Sequence, residues 1–122
     1  MQGTVKIYTE QYRHLPGRFV RKIEHDLQYI LQKPLPGLRE IYLFGSAARG
    51  EVRSTSDIDL LIVTEKRMTD RELAADIRWT LDEDIDGVRT DVVYTNKEAK
   101  KEQSVFKKEL ERDRKLILEV EE

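Results

Sequence analysis

Apolar residues fall into two rhythms along this chain. Val20, Ile23, Leu27, Ile30 and Leu31 recur at helical spacing and predict a helix with one apolar face. Pro16 precedes them where a first helical turn tolerates it, and Pro34, Pro36 and Gly37 end the run. Residues 40–44 (EIYLF) then read as a buried strand, and residues 57–63 (DIDLLIV) as a second, apolar on both faces after its acids. Between them Ala47-Ala48-Arg49 predicts a short helix, followed by a polar connection through Gly50 and residues 53–56. Residues 69–72 spell a capping box with Thr69 as the cap, and Met68 and Leu73 are spaced as its staple. The helix that follows buries Leu73, Ile77 and Leu81 and ends in Asp82-Glu83-Asp84, before Gly87. Residues 88–94 predict a third strand, 104–112 a charged helix and 116–118 a short terminal strand. Residues 1–14 are polar and read as an irregular arm or a short strand. The order predicts an α/β (α+β) fold, a small mixed β-sheet with helices packed against it, as one domain over residues 1–122.

Composition narrows the chemistry. A chain of 122 residues can bury a core without staples. It has no cysteine, which excludes disulfides, thiolate zinc sites and cysteine nucleophiles. His14 and His25 are its two imidazoles, both distant in sequence from the central segment. The formal net charge of -2 gives no electrostatic case for binding nucleic acid. No apolar run reaches the length of a membrane span, and the N-terminus lacks the apolar stretch of a signal peptide. Cytoplasm is therefore the expected location.

The central segment carries the chemistry. Gly45-Ser46 closes the first predicted strand, and ten residues later Asp57-Ile58-Asp59 opens the second. Two acids two apart on a strand project to one face. Their charges repel, and a divalent cation resolves the conflict. Mg²⁺ favours carboxylate oxygen and shares substrate phosphate oxygens. Gly45 lets the backbone approach a ligand, and the start of a following helix offers amide donors and a positive dipole end to phosphate. The Ser46 hydroxyl adds a donor, and Arg49 and Arg53 are nearby cations able to neutralise a triphosphate. If the third strand pairs beside the second, Asp91 reaches the same cluster. It then serves as a third metal ligand and as the base for an attacking hydroxyl.

The pattern G-S-x10-D-x-D with a later strand Asp resembles the nucleotidyltransferase superfamily of DNA polymerase β, and the small size resembles its minimal (MNT) branch. The resemblance runs from about Phe19 to Leu118. It implies the palm-like nucleotidyltransferase fold and Mg²⁺-dependent transfer of AMP from ATP to a hydroxyl, with two ions and release of pyrophosphate. It carries Gly45 and Ser46 over as phosphate contacts, Asp57 and Asp59 as metal ligands, and Asp91 as third ligand and base. Many minimal members are antitoxins encoded beside a small helical HEPN protein, and some transfer AMP to its tyrosine. A HEPN-type toxin is thus the implied partner, in a homo- or hetero-oligomer. The chain is too short for a separate acceptor domain.

Milder readings compete at each position. Gly45-Ser46 could be a plain strand-to-helix turn and Asp91 an exposed strand residue. Asp82, Glu83, Asp84 and Asp86 lack the ligand spacing of a calcium loop and read as a solvated turn. Trp79 could be core or interface. Two alternatives to protein AMPylation stay open: an antitoxin that acts by occlusion, and transfer to a small molecule or RNA.

Overall fold

The computed structural model describes residues 4–33, 35–97 and 113–121. Its strands are β1 (Thr4–Ile7), β2 (Leu38–Phe44), β3 (Ile58–Thr64), β4 (Thr90–Asn96) and β5 (Lys115–Glu121). Its helices are α1 (Gly17–Gln32), α2 (Gly45–Ala48) and α3 (Arg71–Leu81), and a 3-10 turn spans Thr9–Gln11. The predicted arm at residues 1–14 thus contains a strand. The helix expected at 104–112 lies outside the described residues.

One five-stranded sheet runs in the order β1-β5-β2-β3-β4. Every pairing is antiparallel except that of β3 with β4, which is parallel. A parallel pair needs a crossover, and α3 supplies it. The connection returns the chain so that β4 starts at the same end of the sheet as β3. The same end receives the C-terminus of β2, because β2 runs antiparallel to β3. Three chain segments from separate parts of the sequence therefore meet there.

The core lies between the sheet and the two long helices. Phe19, Ile23, Leu27 and Ile30 of α1 are buried, as are Ile77 and Leu81 of α3. They pack against Ile41, Leu43, Ile58, Leu60 and Ile62 of the central strands. Val20 and Leu31 flank that core half-buried. Removing this apolar surface from water is the main stabilising contribution. β3 is buried on both faces, as its unbroken apolar run predicts.

Two local expectations shift. The cap of α3 is Asp70, not Thr69: the Asp70 carboxylate accepts from the Leu73 amide at 3.0 Å. Aspartate ranks above threonine as a cap, which explains why the helix starts one residue later. Trp79 is not core, since it faces outward at 84% exposure. Among the described residues no helix is long and apolar enough to cross a membrane.

Candidate active site

β2 ends at Phe44, which pairs with Asp59 of β3. The chain then turns at Gly45, whose φ of 69° lies in the left-handed region that glycine tolerates best. The backbone conformation thus favours glycine, and a Cβ added at Gly45 would also push the Asp59 carboxylate out of its place. The sequence motif unites Gly45 with Asp59 across the sheet, not only along the chain.

α2 is a single turn of four residues. All its amides count among the first four N–H groups of a helix, which have no partner within it. Those of Gly45 and Ser46, both half-buried, are therefore left as donors at the strand end, whereas Ala47 is buried. So short a helix sums few peptide dipoles, so the positive helix end expected from sequence gives way to amide donors alone.

Asp57 sits just before β3, exposed, and Asp59 lies within it, half-buried. On β4, Asp91 is the register partner of Asp59, and it is exposed. Parallel neighbours in register project to one face, so the pairing sets the two carboxylates side by side. Burial, then the charge of Asp91, then that of Asp57 push the Asp59 carboxyl up to about 6, and Arg49 partly offsets them. Three acids thus share one electrostatic field.

The two arginines differ. Arg49 follows α2 and pairs with Glu51 at 3.3 Å and with Asp113 at 3.5 Å, close enough to Asp59 to act on its charge. Arg53 lies on the exposed connection, where its backbone N–H donates to the Ser56 hydroxyl at 2.7 Å. None of the described contacts brings its side chain to the acids.

The acids match the needs of a hard divalent cation. They are all oxygen donors, and their mutual repulsion is what such an ion relieves. They feel each other's charge without converging to ligand distance, and among the described residues no group of three His, Cys, Asp or Glu side chains is drawn together as a metal site.

Sequence reasoning missed a buried polar group behind this site. Lys22 and Asp26 of α1 are fully buried, and Thr90 at the start of β4 is 1% exposed. The sequence offers only a charged pair four residues apart on α1, a spacing that solvated helix faces share.

Comparison with known proteins agrees with the geometry. Residues 20–117 match the nucleotidyltransferase domain family. No curated protein matches the chain. Among solved structures, it is similar to a Sulfolobus solfataricus protein assigned as a nucleotidyltransferase. That pair shares 22% identity and a TM-score of 0.54, with 79% of this chain and 76% of that one covered. Identity at that level speaks to the fold alone. A toxin–antitoxin crystallised with AMP-PNP is 25% identical, with a TM-score of 0.50 over 76% of this chain and 70% of that one. A mutant of the toxin–antitoxin MntA-HpeT is 26% identical, with a TM-score of 0.50 over 77% and 70%. With the family match spanning most of its length and its acids gathered at the mouth of the sheet, the chain belongs to the nucleotidyltransferase domain family.

Proposed function

We propose that this chain is an adenylyltransferase that moves AMP from ATP to a hydroxyl, with a tyrosine of a HEPN-type toxin as acceptor. The observation that carries the reading is the register that puts Asp59 beside Asp91, at the sheet end where Gly45-Ser46 turns. Asp57, Asp59 and Asp91 would hold Mg²⁺, which when bound withdraws charge from the phosphate oxygens and from the leaving pyrophosphate. The amides of Gly45 and Ser46, with the Ser46 hydroxyl, bind the β and γ phosphates. Arg49 lends positive charge to the triphosphate, and Arg53 reaches it only if its connection folds inward. The acceptor oxygen bonds to the α-phosphorus as the bond to the bridging oxygen breaks and pyrophosphate leaves. Asp91 is exposed on the open side and takes the hydroxyl proton. ATP as donor and a toxin as partner are supported by the similarity to a toxin–antitoxin crystallised with AMP-PNP.

The test mixes the protein with ATP, Mg²⁺ and a purified HEPN-type toxin, then maps the acceptor by peptide mass spectrometry. The expected product is an AMP-bearing tyrosine, lost with Asp57→Asn/Asp59→Asn. An unmodified acceptor, or equal modification by that variant, would contradict the proposal.

A further inference from the structure

Arg18, Lys22 and Asp26 stand about one turn apart on α1 and share a face. Lys22 Nζ donates to Asp26 Oδ1 at 2.6 Å and to the carbonyl of Leu81, the last residue of α3, at 2.8 Å. Asp26 Oδ2 accepts from the Thr90 hydroxyl. At the solvent edge, His25 Nδ1 lies 3.3 Å from Asp26 Oδ1. Arg18 donates to the carbonyl of Ser54 at 2.9 Å and to that of Asp86 at 3.2 Å.

Each contact that leaves α1 reaches a segment leading into an acid-bearing strand. Ser54 lies in the connection that leads into Asp57. Leu81 opens the connection that leads into β4, and Asp86 lies within it. Thr90 is the residue before Asp91, and side chains alternate faces along a strand, so an anchor on Thr90 from the helix side fixes the direction of Asp91 on the other. The Ile58 amide donates to the Arg89 carbonyl at 2.8 Å, which ties the start of β4 to the residue between Asp57 and Asp59. Fold stability gives a poor reason for this group. Burying a Lys–Asp pair carries a desolvation cost, and apolar residues of similar volume often stabilise as well or better.

We infer that Lys22, Asp26 and Thr90 are positioning residues: a buried clamp from α1 that holds the start of β4 so that Asp91 stays beside Asp59. Arg18 secures the two connections at its open end. The inference rests on the reading of Asp59 and Asp91 as one metal-holding pair.

Thr90→Val keeps the shape of the side chain and removes the hydroxyl, whereas Thr90→Ser keeps the hydroxyl. Lys22→Met/Asp26→Leu removes both buried charges together. For each full-length variant, Mn²⁺ affinity is measured by titration without nucleotide, thermal unfolding sets the Tm, and AMP transfer gives kcat and the KM for ATP. Thr90→Val should weaken Mn²⁺ binding and lower kcat about tenfold, as loss of an outer partner does at metal sites. Its KM for ATP should stay within about twofold, because Gly45 and Ser46 are untouched. Thr90→Ser should restore both values, and the double variant should reproduce the loss with its Tm maintained. Wild-type Mn²⁺ affinity in Thr90→Val would overturn the clamp, as would a loss that only follows Tm across the series. If the wild type binds Mn²⁺ but transfers no AMP, the functional reading fails while the affinity contrast still decides the clamp. A wild type that binds no Mn²⁺ overturns both.

Discussion

At Asp59, burial and the charges of Asp91 and Asp57 lift the carboxyl from 3.8 to about 6. A raised carboxyl favours the protonated form in the folded state, so its sign is destabilising at neutral pH. The cost is absent below pH 4 and complete above pH 6. Asp59→Asn should therefore stabilise the metal-free protein at pH 8 by about 1–2 kcal/mol, after allowance for solvent screening of a half-buried side chain. At pH 4 the substitution should be neutral. Urea unfolding in a chelator at the two pH values checks this, and equal effects at both would contradict it. Gly45-Ser46 and Asp57-x-Asp59 could be recognised in the sequence because their spacing is local. The clash that a side chain at Gly45 would make with Asp59 could not, because it depends on a contact between two strands. Lys22 and Asp26 stayed hidden for a related reason. Nothing local distinguishes a charged pair on a solvated helix face from one sealed under α3 and β4.

Elements were legible where periodicity was strong. The stripe of α1 and the apolar run of β3 each identify their element from sequence, since each reports burial on one or both sides. Ends were less legible, because a cap is a choice between adjacent polar residues. The α3 cap shows this directly: Thr69 and Asp70 both fit the pattern, and the carboxylate wins. Asp70→Ala should cost about 1 kcal/mol of stability while Thr69→Ala costs much less. Denaturant unfolding of the two variants measures it, and a larger loss at Thr69 would restore the cap one residue earlier. α2 was expected as a short helix and is one turn long, which changes its chemistry from a dipole end to the amide donors of Gly45 and Ser46.

The arrangement of the whole molecule depends on pairings that no sequence window contains. β5 comes last in the chain yet lies between β1 and β2. The sequence supports a small mixed sheet but not this order, because strand order is set by contacts between distant segments. Asp91 depends on the same kind of contact. Its place beside Asp59 follows from the single parallel pairing, which the crossover through α3 makes possible. One end of the sheet thus receives the turn after β2, the acids at the start of β3 and the acid at the start of β4. That convergence is the physical basis for reading the site as one that holds a metal and a triphosphate. The most direct test follows the phosphates of the donor. The protein is incubated with Mg²⁺, a purified HEPN-type toxin and ATP labelled either at the α or at the γ phosphate. The account predicts that the α label becomes bound to the acceptor protein and the γ label is released as pyrophosphate. Transfer of the γ label to the acceptor, or α-label transfer that survives Asp57→Asn/Asp59→Asn, would contradict it.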